Sequence, residues 1–539
     1  MMTTPVPFRP IRTPHVRNFI KRPLALAACV VLAATAACAS AQRFQEAETP
    51  TISKADLPQP QREMRGVWIA TVKNIDWPPA DHRNVPALMR QSMLEILDMS
   101  ESLNLNTILF QARPTADTFY VSDKEPWSEW LTGAQGRSPT PGYDPLAEWV
   151  EASHRRGLDV HVWINPFRAR HREAETPNAP GHLAERRPDL VHQYGEYQWI
   201  DPGEPDAQRF VLDVMKDVVT RYDVDGLVFD DYFYPYPEQG KDFPDDRAWE
   251  RYERAGGTLS RNDWRRDNVN SFIRRMRSEL RQVRPDLVIG VSPFGIWRPG
   301  HPAGVKGFDA YDGLYADARL WLREGLVDYL APQLYWPIAS EGQPFGPLLD
   351  WWRSQNITDR RVYAAIYTSR LQATAAASKG WTPKEIEDQI KLTRDRDTQP
   401  GQIHFSGVAL MEDRQGIRTK LENGVYANVA PPPRIHSASL REPGAPDLRV
   451  SASTEGFEAR WNAGSGPAPR SWIVWARFGS SWFVETAPAQ QRQLTVPRKT
   501  GRGPLEAIAI AAVGANGADG PVTVLEIPQA GEPNRAAQP

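Results

Sequence analysis

Cysteine is almost missing from this 539-residue chain: there are two, Cys29 and Cys38, and both lie near the N-terminus. A disulfide framework in the folded region is therefore excluded, and so is a thiolate metal site. The ten His are scattered, with no HxxxH-type pair, so the expectation is a metal-independent mechanism without a cofactor. Charge of one sign is lacking too. The 64 Lys and Arg against 66 Asp and Glu leave a formal net charge of -2, which offers nothing to nucleic acid or acidic lipid. After residue 37 no apolar run approaches the length of about 18 residues that a membrane span needs. No Gly-rich phosphate loop follows the first strand-like run, which disfavours a doubly wound nucleotide-binding sheet.

Aromatic residues are abundant, with 19 Trp and 16 Tyr. Their flat faces stack on sugar rings, although most such rings in any protein are core. The length is too great for one hydrophobic core, so two or three domains are expected. Residues 1–22 are polar and basic, and an Ala-, Val- and Leu-rich run follows over 24–37. This run is short for a membrane span and fits the apolar part of an export signal. Two processing readings follow. Thr35-Ala36-Ala37-Cys38 resembles a lipoprotein box, with Cys38 as the lipidation site and Thr35 where Leu or Val is usual. Ala39-Ser40-Ala41 offers ordinary signal cleavage before Gln42. The expectation is an exported protein, in the periplasm or on the outer membrane as a lipoprotein, or secreted after cleavage. Contact with a membrane would be only through the lipid.

Residues 42–62 hold Pro50, Pro58 and Pro60 without periodicity and read as a tether. From Glu63 short β-rich runs alternate with amphipathic helical stretches, the texture of parallel βα units. Strands are expected over 64–72, 106–112, 159–165, 226–231, 287–292, 329–335, 361–367 and 403–410. Helices are expected over 93–103, 145–156, 207–221, 264–283 and 383–394. Eight such strands predict a (β/α)8 TIM-type barrel over 63–428. Ala430-Pro431-Pro432-Pro433 then reads as a stiff linker, 429–434. Residues 435–528 carry seven short alternating runs separated by turn residues, which predicts an all-β, fibronectin-III-like sandwich. Residues 529–539 read as a frayed tail.

Parallel barrels build their sites at the C-terminal ends of the strands. The fourth expected strand is the richest in acids: Gly226-Leu227-Val228-Phe229-Asp230-Asp231-Tyr232. Alternation puts Gly226, Val228 and Asp230 on one face and Leu227 and Phe229 on the helix-facing side. Asp230 then points into the barrel mouth as a candidate catalytic carboxylate, with Asp231 beside it at the rim. The other strand ends supply Trp68, Gln111, Arg113, Asn165, Arg168, Trp297, Gln333, Tyr335, Trp336 and Tyr367. Together with Tyr232 they form a set of amides, guanidinium groups and rings suited to an uncharged polyhydroxylated ligand.

The strings REMRGVWIATV, QARPTADTFY, EPWSEWLTG, GYDPLAEWVEASHRRGLDVHVWINPFR, GLVFDDYFYP, DWRRDNVN, SPFGIWR and APQLYW occur in that order. In these the chain resembles the glycosyl hydrolase-like 10 family of bacterial envelope lipoproteins, over about residues 62–420. The resemblance implies a TIM-type barrel, glycosidase activity and a polysaccharide partner, peptidoglycan glycan strands stripped of their stem peptides. It also implies an acidic pair after strand four, matched by Asp230 and Asp231. The GLVFD string is also similar to the amylase-type strand-four motif, whose last Asp is the nucleophile. It is similar as well to the chitinase-type motif, which ends in Glu where Tyr232 stands. In the chitinase case the substrate's acetamido group attacks, helped by a strand-four Asp and a strand-six Tyr, roles that Asp230 and Tyr335 match. Two other functions fit the same residues: a non-catalytic envelope glycan-binding protein, and a hydrolase of another polysaccharide.

Overall fold

The structure is a computed structural model that describes residues 56–528, apart from Pro141 and Ala375. The export segment with Cys38, most of the expected tether and the C-terminal tail lie outside the described residues. Eight parallel strands form the first domain: β1 (Met64–Ile69), β2 (Thr107–Arg113), β3 (Asp159–Ile164), β4 (Gly226–Phe229), β5 (Val288–Val291), β6 (Tyr329–Leu330), β7 and β8 (Gly401–His404). β7 comes in two pieces, Arg361–Val362 and Ala364–Ile366. The first piece pairs with β6 and the second with β8. At the break, the Tyr363 amide donates to the Leu330 carbonyl at 2.9 Å. The two edges of the sheet therefore belong to one run of chain, and the sheet closes into a barrel.

Helices α1 (Pro86–Ser102), α2 (Pro145–Arg155), α3 (Pro205–Arg221), α4 (Arg261–Val283), α5 (Ala318–Arg323), α6 (Phe345–Gln355), α7 (Pro383–Arg396) and α8 (Ile417–Glu422) follow the strands in turn. Their starts are written locally. Asp144, Ser260 and Thr382 cap α2, α4 and α7 through their side-chain oxygens, and Pro opens α2 and α7. The helices bury the outward strand residues, among them Leu227 and Phe229. Inside the barrel lie Met64, Trp68, Leu109, Trp163, Val228, Val288, Tyr329, Tyr363 and Ile403. The expected alternation in β4 is thus observed. Two glycines make room for inward rings at the base. A Cβ on Gly226 would meet the His161 ring at 2.6 Å, and one on Gly290 the Tyr329 ring at 2.0 Å.

The eighth strand differs from expectation. It starts at Gly401, and Gly407–Met411 is helical. A short apolar run fits a buried strand or a helical turn equally well. An antiparallel three-stranded sheet of Arg168–Arg170, Val191–Tyr194 and Tyr197–Ile200, not expected from the sequence, forms the loop after β3.

The second domain is a sandwich of antiparallel sheets. One holds β9 (Asp447–Ala452), β10 (Phe457–Asn462) and β13 (Gln493–Val496). The other holds β12 (Ser481–Pro488), β11 (Ser471–Phe478), β14 (Gly503–Val513) and β15 (Asp519–Glu526), in that order. This is the strand arrangement of a fibronectin-III-like fold. Leu448, Trp461, Trp472, Val474, Ile508 and Ile510 fill the space between the sheets.

The sandwich seals the N-terminal end of the barrel. The turn between β14 and β15 carries Asn516, 6% exposed and in the left-handed conformation at φ 52°. Its backbone N–H donates to Asp159 at 2.7 Å, and its amide donates to the Asp225 carbonyl at 2.9 Å. Its side-chain oxygen then accepts from His161 Nε2 at 3.0 Å, and His161 Nδ1 accepts from the Tyr329 hydroxyl at 3.0 Å. Arg470 bridges Asp159 and Asp225 at 2.9 and 3.0 Å. Ile435 packs against the inner barrel cluster from below. The proline-rich pieces on either side of the barrel are packed as well. Leu57 is 3% exposed on the sandwich, Trp475 donates to the Pro58 carbonyl at 2.7 Å, and Arg62 to the Pro432 carbonyl at 3.1 Å. Proline removes periodicity from a segment, but an extended proline-rich segment can still lie along a surface.

Candidate active site

The open end of the barrel is built on β4. Asp230 and Asp231 follow its last residue and are 5% and 4% exposed. Asn165, just after β3, donates through Nδ2 to both Asp230 oxygens at 2.7 Å. The orientation of that amide is fixed by a chain of donors. The backbone N–H groups of Thr71 and Val72 both donate to Gln111 Oε1 at 2.9 Å. Gln111 Nε2 must then donate, and it does so to Asn165 Oδ1 at 2.7 Å. Arg168 Nη2 donates to the same oxygen at 3.1 Å. Asn165 Oδ1 is therefore the acceptor and Nδ2 faces Asp230. Arg168 reaches Asp230 through Asn165 rather than by a direct ion pair, and its guanidinium lies 4.9 Å from the Tyr232 ring centroid.

Asp231 has different partners. Gln333 Nε2 donates to its Oδ1 at 3.1 Å and to the Ser292 carbonyl at 3.1 Å. The Tyr236 hydroxyl bonds its Oδ2. Burial raises both carboxyls above the ordinary Asp value, and the repulsion between the two neighbouring charges adds to the rise. Two buried acids side by side cannot both ionise at low cost, so the pair keeps one proton well above the usual carboxylate range.

Rings surround the pair. Tyr232 touches Trp199 and Tyr236, and Tyr236 touches Phe308. Phe308 touches Phe294, which touches Trp336 at 5.6 Å. Across the mouth, Tyr335 packs on Tyr367 at 4.9 Å and on Phe405 at 5.7 Å. All of these but Trp199 keep part of their surface open. Among the described residues the Tyr335 hydroxyl has no hydrogen-bond partner, and the Asp231 charge bears on it.

The structure thus gathers Gln111, Asn165, Arg168, Tyr232, Gln333, Tyr335, Trp336 and Tyr367 around the acid pair. Three expected site residues lie elsewhere. Trp68 is 2% exposed in the barrel interior, edge-on to Trp163 at 4.9 Å, and both indole N–H groups lack a protein partner. Arg113 is fully buried. It pairs with Glu125 at 2.7 and 2.5 Å and bonds the Asn165 carbonyl, bracing the loops after β2 and β3. Trp297 belongs to an outer cluster. It stacks on Trp351 at 5.8 Å, carries the Arg319 guanidinium at 5.1 Å and donates to Asp317 at 3.1 Å. Tyr236 was not singled out in the sequence, although it stands five residues after Asp231 in a Tyr-rich run.

The family described as Glycosyl hydrolase-like 10 matches residues 63–382. Glycosyl hydrolase YngK of Bacillus subtilis is 37% identical over 397 residues, covering 72% of this chain and 77% of that protein. Glycosyl hydrolase DigH of Escherichia coli K12 is 33% identical over 399 residues, covering 69% and 89%. Among solved structures, the PgaB (BpsB) glycoside hydrolase domain of Bordetella bronchiseptica is similar at 13% identity and a TM-score of 0.41, covering 67% of this chain and 98% of that one. With the family's region spanning nearly the whole barrel and two relatives above 30% identity, the chain belongs to the glycosyl hydrolase-like 10 family.

Proposed function

We propose that this protein hydrolyses glycosidic bonds in a glycan of the bacterial envelope, with Asp230 and Asp231 as its catalytic residues. The observation that carries the reading is two adjacent, buried carboxyls at the open end of the barrel, ringed by partly exposed aromatics. Glycosidic cleavage needs one group to protonate the leaving oxygen and one to stabilise the cationic carbon. A buried pair sharing a proton supplies one acid and one anion at neutral pH. The rings supply stacking surface, and the amides of Asn165 and Gln333 fix the carboxyls.

The substrate we propose is peptidoglycan glycan strands lacking stem peptides. The unpartnered Tyr335 hydroxyl beside the pair favours the acetamido-assisted route, because peptidoglycan sugars carry that group and a phenol can hold it in place. The protein would act outside the cytoplasm, exported by its N-terminal segment and anchored through a lipid on Cys38.

Purified mature protein incubated with stripped strands is expected to release short saccharides, read by mass spectrometry. Asp230→Asn and Asp231→Asn, checked for folding, are expected to lose at least about a hundredfold. A folded wild type that co-sediments with the strands without cutting them would make it a binding protein. Products of inverted anomeric configuration would overturn the acetamido-assisted route alone.

A further inference from the structure

The two carboxyls do not have equivalent partners, and the difference assigns their roles. Asp230 is met only by N–H groups: Asn165 Nδ2 on both oxygens at 2.7 Å and the Tyr232 backbone at 3.4 Å. An N–H donates and cannot accept. A proton on Asp230 would face donors and find no acceptor among the described residues. The orientation of Asn165 cannot reverse to help, since Gln111 and Arg168 both donate to its oxygen, and Gln111 is itself fixed by two backbone amides.

Asp231 differs in one respect. Its Oδ1 also receives an N–H, from Gln333, but its Oδ2 meets a phenol. A hydroxyl donates to a carboxylate and accepts from a carboxylic acid. Tyr236 is 36% exposed, so its hydrogen can turn outward when Asp231 is protonated and inward when it is not. We infer that Asp231 carries the pair's proton and acts as the acid, that Asp230 stays ionised, and that Tyr236 is the positioning residue that receives Asp231 in both states. This rests on the hydrolase reading above.

In the step this describes, the Asp231 proton passes to the glycosidic oxygen as the bond from that oxygen to the anomeric carbon breaks. The bonding electrons leave with the oxygen. The substrate's acetamido group, its N–H donating to ionised Asp230, lends the anomeric carbon an electron pair from its carbonyl oxygen. Water then adds to that carbon, the acetamido oxygen departs, and the water's surplus proton returns to Asp231. When Asp231 is left as an anion, the Tyr236 O–H donates to it. Other charged or titratable groups also face Asp231. Asp230 and Tyr232 come from its own segment, Arg168 from the loop after β3 and Tyr335 from the loop after β6.

The test uses full-length protein on two substrates: stripped glycan strands, and a nitrophenyl glycoside of the same repeating disaccharide, whose leaving group needs no acid. Asp231→Asn is expected to lose at least about a hundredfold in kcat/KM on strands but less than about tenfold in kcat/KM on the nitrophenyl glycoside, because kcat/KM ends at bond cleavage and does not include the later proton uptake. Asp230→Asn is expected to lose heavily on both. Tyr236→Phe removes a donor to the Asp231 anion. The alkaline limb of its kcat/KM profile should move up by about one pH unit, the excess of a charge-assisted hydrogen bond to the anion over the neutral one the phenol accepts from the acid. Gln333→Met removes the other donor and should move the limb the same way. Leaving-group tolerance in Asp230→Asn instead of Asp231→Asn would overturn the assignment. So would folded Tyr236→Phe and Gln333→Met proteins whose rates fall equally at every pH, as a merely structural role would give. A folded wild type inactive on both substrates is a different failure: it removes the hydrolase reading and this inference with it, and it is visible before any variant is made.

Discussion

Removing the Asn516 side chain should loosen the whole molecule, although it lies at the end of the barrel remote from the acid pair. Replacement by Gly keeps the backbone N–H to Asp159 and tolerates the left-handed φ of 52°. It deletes the bonds to His161 Nε2 and to the Asp225 carbonyl. The Asp225 carbonyl retains the Val288 amide at 3.2 Å, so that loss is about 1 kcal/mol. His161 is buried and would keep an N–H with no acceptor, costing about 1–3 kcal/mol. Asn516→Gly should therefore destabilise by about 2–4 kcal/mol. Asn516→Ala loses the same bonds and adds the left-handed penalty of a Cβ, about 1 kcal/mol more. Calorimetry of the full chain would measure both, with the barrel and sandwich expected to melt in less coincident transitions. If both variants stay within about 0.5 kcal/mol of wild type, the seal is decorative and the reasoning fails.

Arg113→Ala leaves Glu125 buried and unpaired, so a loss of about 3–5 kcal/mol is expected by denaturant titration; a loss below about 1 kcal/mol would refute it. Trp336→Ala should raise KM about tenfold with kcat little altered, as lost stacking would; an unchanged KM places the ring outside the glycan path. His404 is fully buried between Thr368 and Tyr426, and burial lowers its pKa from 6.5 to about 3. The unfolded chain takes up this proton below 6.5 while the folded one does not until about 3. Its contribution is therefore complete above that range and lost as pH falls through it, by up to about 1.4 kcal/mol per unit. His404→Gln should flatten the fall in urea midpoint between pH 7 and pH 5; equal slopes would reject the assignment.

The parts of the fold that were legible are those where one face alternates or one period dominates. Val160, Val162 and Ile164 against His161 and Trp163 announce β3, and Leu227 against Val228 announces the inward side of β4. What stayed hidden depends on tertiary context. The strand at Val191–Tyr194 is polar enough, with His192 and Gln193, to read as loop, and it exists because it pairs across a turn with Tyr197–Ile200. The halves of β7 look like one strand in sequence, and only the closing sheet divides them between two neighbours. In the site, a polar residue at a strand end says that chemistry is possible there, not which way the loop turns. Arg113 and Asn165 were indistinguishable on that ground, yet one braces two loops and the other faces Asp230. Tyr236 lies beyond the strand, where alternation no longer predicts direction.

The packing of Leu57 and Pro58 on the sandwich sets a direction for the molecule. Leu57 lies against Ile473, Trp475 and Val513, on the same module whose Asn516 turn closes the barrel base. Leu57, near the start of the described residues, therefore lies at the sandwich end, and the acid pair opens at the opposite end. The barrel thus stands on the sandwich as on a foot, with its mouth at the far end. A glycan could reach the acid pair only from the end remote from the sandwich, so the sandwich sets the one side from which the barrel is approached.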